Sequence, residues 1–167
     1  MRKVIIGILM SFCLFGVYQS LWANHSMHPL KQIAFVKKMI ERQQEPYRTA
    51  YVQLIRYVDS IQHVTHHAQN NFAVPGYYVK PEEHRANSLA LQQDAFAAYC
   101  SALAYQLSGE ECYGQKACYF LNAWSSTNKK YSEHDGVLVM SYSGSALLMA
   151  AELMMDTPIW NSQDKDA

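Results

Sequence analysis

The chain has 167 residues, enough for one domain with a hydrophobic core but not for two domains of full size. Half of the residues are apolar and 17% are charged, a globular composition that excludes extended disorder. The 14 basic and 14 acidic residues balance and form no basic stripe, so nucleic acid is not expected as a partner.

The N-terminus has the pattern of a signal peptide. Arg2 and Lys3 precede an apolar run over residues 4–18, which is short for a membrane span. Cleavage after Ala23 would leave a mature domain over residues 24–160 and a polar, structureless tail over residues 161–167. An uncleaved anchor is the alternative. Export predicts a periplasmic or secreted protein without membrane contact after cleavage.

A first helical hairpin is predicted at the start of the mature chain. Apolar residues recur at helical spacing over residues 30–42, and Pro46 suits the first position of a second helix over residues 46–64. Residues 65–85, the lid segment, then lose all periodicity and contain turn signals. A loop of about twenty residues in a compact helical domain is usually a binding loop or a lid.

A second helical hairpin over residues 88–124 is the centre of the chain. Gly109 suits a helix end, and Ser108 and Glu111 have the spacing of a capping box that would start the next helix at once. A polar connector over residues 125–135 leads to a fifth helix over residues 143–155. No β alternation is present. The predicted fold is therefore all-α, made of tandem antiparallel hairpins in a partial (α/α) toroid or solenoid.

Three cysteines remain after signal cleavage. Cys100 and Cys118 each lie nine residues from Gly109, on opposite arms of the hairpin, and so stand at about the same height. A Cys100–Cys118 disulfide is expected on this ground, and the alternative is that all three cysteines are small buried residues. No cysteine pair has the spacing of a zinc site, and neither a metal nor another cofactor is expected.

Several stretches carry a resemblance to a known family. EPY opens the second helix and runs into YVQLI, the central hairpin reads DAFAAYCSALAYQLSGEECYGQKACYFLNAWSST, and SGSALLMAAELM follows. Together they resemble the alginate lyase family, which has the α/α toroid fold. The resemblance covers nearly the whole mature chain and is most specific over residues 121–124.

The resemblance implies an acidic polysaccharide as partner, alginate or another polyuronate, and β-elimination as the reaction. The family uses an Asn-His motif, a tyrosine and an arginine that lie further along its chain than this sequence reaches. The expectation is thus the first half of a toroid, with no catalytic residue assigned and possible association with a missing C-terminal half. Little or no release of unsaturated, ultraviolet-absorbing ends is predicted from this chain alone.

The candidate substrate-binding residues lie mainly on the lid segment. Tyr77 and Tyr78 could stack on sugar rings or could pack the loop onto the helices. Arg85 could pair with a uronate carboxylate or be a solvated surface residue. Asn87 could bind sugar hydroxyls or cap the first helix of the central hairpin. Trp124 could wall the groove or belong to the core.

Histidines add a further candidate site. His63 lies three and four residues from His66 and His67, a spacing that metal ligands use on a helix, but no carboxylate follows at a suitable distance. Sugar binding by His66 and His67, or a solvent-facing position, is therefore favoured over a metal site.

Three function classes follow from these features. The first is an exported lyase-like domain that binds polyuronate. The second is a non-enzymatic helical repeat module that binds polysaccharide or peptide. The third is a glycoside hydrolase, which would need paired acids across a cleft.

Overall fold

The fold is built almost entirely from helices. The structure is a computed structural model that describes residues 27–166, so the predicted signal peptide lies outside the described residues. Within that range the helices are α1 (Leu30–Glu41), α2 (Tyr47–Ser60), α3 (Pro81–Ser108), α4 (Glu111–Thr127), α5 (Gly136–Ser143), α6 (Ser145–Met154) and α7 (Ser162–Lys165). The all-α prediction is confirmed, and closure into a toroid stays a prediction.

Helix α3 is the axis of the domain. It packs along α4 and α6, and it also contacts α1, α2 and α5. The main core cluster lies between these helices and includes Phe120, Leu153 and Met154, all of which are almost fully buried. Helices α3 and α4 approach each other closely at Gly114. An added Cβ there would lie 2.9 Å from the side chain of Ile159 and 3.1 Å from the ring of Tyr105.

The turn of the central hairpin is confirmed, but its capping box is not. Gly109 has a φ of 80°, the left-handed conformation that suits glycine after a helix. Ser108 is the last residue of α3, and its hydroxyl donates back to the carbonyl of Ala104 at 2.7 Å. The Ser108 oxygen accepts from the Glu110 backbone N–H at 3.1 Å. A capping box would instead need it to accept from the backbone N–H of Glu111.

The first helix of the hairpin is longer than predicted. It begins at Pro81, with Glu82 and Glu83 in its first turn, so the last five residues of the lid segment are helical. Proline at the start and acidic residues in the first turn both favour a helix N-terminus. Asn87 therefore lies inside α3 and is not its cap. Its amide Nδ2 donates to the carbonyl of Ala73 at 2.8 Å and holds the preceding loop against the helix.

Two short strands accompany the helices of this all-α fold. Strands β1 (Asn71–Ala73) and β2 (Lys130–Ser132) pair in parallel, with Phe72 opposite Tyr131. Each strand has three residues, too few to show a sequence alternation. The pairing joins the lid segment to the connector that follows α4.

The C-terminal part also differs in detail from the prediction. The predicted fifth helix over residues 143–155 corresponds to α6, whereas α5 before it was not predicted; the two helices meet at Gly144 with a bend of 41°. Along residues 27–166 no single helix is long and apolar enough to cross a membrane, although this bent pair passes the same test together. The predicted structureless tail contains α7. Asn122 on α4 bonds to Trp160 at 2.8 Å and to Asp164 at 2.7 Å and so attaches this segment to the domain.

The predicted disulfide is wrong. Cys100 and Cys118 are both buried and both free thiols. They stand on different sides of the hairpin: Cys100 packs with Val58 and Tyr113, whereas Cys118 belongs to the main core cluster around Phe120. Equal height on two antiparallel helices does not bring two side chains together when they face different neighbours.

Thiol labelling tests this correction. Burial raises the pKa of the Cys100 and Cys118 thiols to about 11, whereas Cys112 is exposed. In a Cys13→Ser background at pH 8, we expect Cys112 to react rapidly with iodoacetamide and the other two to react only after unfolding. Mass spectrometry of peptides assigns each label, and Cys112→Ser is the control. Failure of the two buried thiols to label after unfolding without reductant would contradict the free state.

Candidate functional site

A buried carboxylate lies at the centre of a polar cluster that we call the Asp94 site (His66, His67, Asp94, Tyr119 and Trp124). The Asp94 side chain is only 1% exposed, on the middle of α3. Its oxygens accept from the His67 backbone N–H at 2.6 Å, from His67 Nδ1 at 2.8 Å and from the Trp124 indole Nε1 at 2.8 Å. Three N–H donors replace the water that burial removes from the carboxylate.

The charge of Asp94 is not stabilised by the N-terminal end of its helix. Because α3 begins at Pro81, Asp94 lies in the helix interior and depends on donors from the lid segment and from α4. The carboxylate thereby ties three separate parts of the chain together.

The two neighbouring histidines present opposite hydrogen-bonding edges. Nδ1 of His67 must carry the hydrogen because it faces the Asp94 carboxylate, so the neutral ring keeps a lone pair on Nε2. Nδ1 of His66 accepts from the Ala68 backbone N–H at 3.2 Å, so the neutral ring carries its hydrogen on Nε2. The side chain of His67 is 44% exposed. One imidazole therefore offers an acceptor and the next offers a donor.

Tyr119 on α4 extends this cluster. Its hydroxyl oxygen accepts from the His66 backbone N–H at 3.2 Å, and the two rings lie 5.4 Å apart between centroids. The Tyr119 O–H remains able to donate. Sequence reasoning did not single out this residue, because a tyrosine at helical spacing on α4 looks like any other.

A second polar cluster, the Asp135 site (Tyr77, His84, His134 and Asp135), fixes the other end of the lid segment. The Asp135 carboxylate accepts from the Tyr77 backbone N–H at 3.2 Å and contacts Nδ1 of His134 at 2.7 Å and Nδ1 of His84 at 3.3 Å. The hydrogen bond from His134 is the main reason that the pKa of Asp135 lies below its ordinary value. The sequence did not predict the other three members of this cluster, His84, His134 and Asp135.

The two predicted tyrosines lie together at this second cluster. Their ring centroids are 5.5 Å apart, and Tyr77 also packs edge-on against His84 at 5.4 Å. Tyr78 is 97% exposed, which leaves both ring faces open for contact with a sugar. Across residues 27–166, no hydrogen bond or ring contact joins these tyrosines to His66 or His67.

The remaining predicted residues are placed as follows. Trp124 is 5% exposed, packs against Phe72 with ring centroids 5.7 Å apart and is a core residue through most of its surface. One edge of Trp124 borders an apolar groove of about 490 Å³ between α4 and the α5–α6 pair.

Arg85 is exposed on α3. His63 is exposed, and no group of His, Cys, Asp or Glu side chains in the described part of the chain could hold a metal ion.

Comparison with known proteins finds one family that matches the chain. The family described as Alginate lyase matches residues 32–167, which is most of the sequence. Neither a curated protein nor a solved structure matches the chain. The family match includes both polar clusters, all but the first two residues of α1 and every other helix described above. The chain therefore belongs to the alginate lyase family.

Proposed function

We propose that this chain is an exported polysaccharide-lyase-like protein that binds a polymer of uronic acids on the face formed by His66, His67 and Tyr119. Membership of the alginate lyase family supports a polysaccharide as ligand. The observation that carries the proposal is the pair of adjacent imidazoles with opposite tautomers, one of them locked by the buried Asp94.

The chemistry of a polyuronate fits this pair. Each sugar has hydroxyl groups, which donate and accept, and one carboxylate, which only accepts. His66 Nε2–H and the Tyr119 O–H can donate to carboxylate or hydroxyl oxygens, while the lone pair of His67 Nε2 can accept from a hydroxyl. Because Asp94 fixes the His67 ring, little side-chain entropy is lost when the sugar binds.

The exposed tyrosines would extend the contact along the polymer. Tyr78 and Tyr77 offer ring faces at the Asp135 site, and sugar rings stack on such faces through their C–H groups. Arg85, exposed at the start of α3, would pair with a carboxylate on the same side. We propose these three as secondary contacts.

A binding experiment tests the proposal. We expect the chain to be retarded in a native gel that contains alginate and not in one that contains dextran. The double variant His66→Ala/His67→Ala should bind alginate about tenfold or more weakly, from ~1 kcal/mol for each lost hydrogen bond. Gln53→Ala, on the exposed face of α2, is the control and should bind normally. Equal retardation of the double variant and the control would sink the proposal.

The same incubations, followed by ultraviolet absorbance, test the sequence-based prediction of little or no turnover. Polygalacturonate in parallel gels shows whether the stereochemistry of the uronate matters.

The second candidate function, an interaction module for peptides, is favoured by one feature. The groove of about 490 Å³ between α4 and the α5–α6 pair has a mostly apolar lining that includes Trp160, Leu147 and the exposed Leu148. A peptide-binding module would leave alginate unbound in the gel experiment, so the same measurement separates the two functions.

A further inference from the structure

We propose that Lys116 forms the floor of a carboxylate-binding subsite, the Lys116 cleft, which lies between α4 and the chain that leaves α2. The ligand would be the carboxylate of one uronate residue, so the inference rests on the proposed function and adds a specific subsite to it.

Lys116 is buried without a partner of opposite charge in hydrogen-bond contact. Its side chain lies on α4 and the residue is 9% exposed. The ammonium Nζ donates to the carbonyl oxygens of Gln62 at 3.1 Å and Val64 at 2.5 Å. It also lies 4.6 Å from the ring centroid of Tyr119 and 5.0 Å from that of Phe120. Over residues 27–166, no carboxylate comes within ion-pair distance of this ammonium.

The energetics of this arrangement favour an incoming anion. Burial lowers the pKa of Lys116, and the negative charge of Asp94 raises it only in part. Carbonyl oxygens and ring faces carry partial charges and compensate less than a full negative charge does. Two of the three ammonium hydrogens are used by the carbonyls. A carboxylate in the cleft would supply both the missing charge and an acceptor for the third hydrogen.

The cleft itself is suited to an anion. Its volume is about 390 Å³, and none of its lining residues is Asp or Glu. Besides Lys116 and the two carbonyl-bearing residues, the lining consists of His63, Thr65, Cys112, Gln115 and Tyr119. Hydroxyl, amide and imidazole groups are the donors that commonly complete a carboxylate site. Tyr119 borders both this cleft and the Asp94 site, so one polymer could occupy both.

The alternative is that Lys116 only holds the turn that follows α2. Its bonds to the carbonyls of Gln62 and Val64 are sufficient for that purpose. Removal of Lys116 would disturb the fold in either case, so the decisive variant must change the charge of the cleft without touching these bonds.

Gln115→Glu is that variant, with Gln53→Glu as its matched control. Gln115 is exposed and lines the cleft, whereas Gln53 is exposed on α2 away from it. With an alginate hexasaccharide as probe, we expect Gln115→Glu to weaken binding about fivefold or more at 20 mM salt, and less at 300 mM because salt screens the repulsion. Gln53→Glu should bind like the wild type, and both variants should melt like the wild type.

Two further measurements complete the test. The pKa of Lys116, followed by the resonance of its ε-carbon, should rise when the hexasaccharide is added. Lys116→Arg should retain binding, while Lys116→Met should lose it. Equal binding by Gln115→Glu and Gln53→Glu, or an unchanged Lys116 pKa in the saturated complex, would leave Lys116 with only a structural role in the turn after α2 and overturn the subsite. Should the His66→Ala/His67→Ala variant still lose alginate binding, the proposed function would stand without the subsite. An absence of any binding by the wild type would instead refute both.

Discussion

Replacement of Asp94 by alanine is expected to lower the free energy of unfolding by about 2–5 kcal/mol, because it leaves buried N–H donors without an acceptor at ~1–3 kcal/mol each. The indole N–H of Trp124 is fully enclosed, and the backbone N–H of His67 is half-buried. Urea unfolding followed by tryptophan fluorescence measures the change. We expect alginate binding to weaken as well, since the His67 ring is no longer held.

Two further substitutions make this prediction specific. Glu41→Ala removes an exposed carboxylate at the end of α1 and should change stability by less than about 0.5 kcal/mol. Trp124→Phe keeps an aromatic ring but removes one donor, and should cost less than Asp94→Ala. If Asp94→Ala unfolds at the same urea concentration as Glu41→Ala, the carboxylate does not hold these parts of the chain together.

Phe120→Ala is expected to cost about 3–5 kcal/mol, because a fully buried phenyl ring leaves a cavity that the surrounding helices cannot fill. Phe120 has no exposed surface and lies in the main core cluster between α4 and α6. The same urea experiment measures the loss of unfolding free energy. An unchanged slope of that free energy against urea concentration would show that the transition stays cooperative.

Phe35→Ala is the matched control for the core prediction. Phe35 lies on α1, is 49% exposed and forms a T-shaped pair with Tyr47, with ring centroids 5.8 Å apart. Its removal should cost less than about 1 kcal/mol, since much of the ring is already in water. Similar losses for both variants would mean that the packing around Phe120 is not tight.

The helices with an apolar stripe could be predicted from the sequence. The predicted range 30–42 differs from α1 by one residue, and the turn at Gly109 lies where it was expected. The N-terminal extension of α3 could not be read from periodicity, because residues 81–90 are mostly exposed and have no buried stripe. Pro81 followed by Glu82 and Glu83 was the available signal, and it is one of local capping chemistry.

The polar clusters could not be predicted from the sequence, for a different reason. His66 and His67 could be singled out as a pair, but the tautomer of His67 depends on Asp94, 27 residues away, and that of His66 on a loop conformation that brings the Ala68 backbone N–H to its ring. Lys116 has the spacing of an ordinary surface lysine on α4. It is buried only because residues 62–64 cross over it. Tertiary contacts of this kind leave no local pattern.

The short β1–β2 pairing has a mechanical consequence. Beyond the ladder itself, the Asp135 backbone N–H donates to the carbonyl of Val74 at 2.9 Å, and the Lys129 backbone N–H donates to that of Asn70 at 2.9 Å. Residues 70–74 of the lid segment are thus hydrogen-bonded to residues 129–135, the connector before α5. Only residues 75–80 lie between this seam and the first turn of α3. A displacement of α5 would therefore pull directly on residues 75–80, which carry Tyr77 and Tyr78.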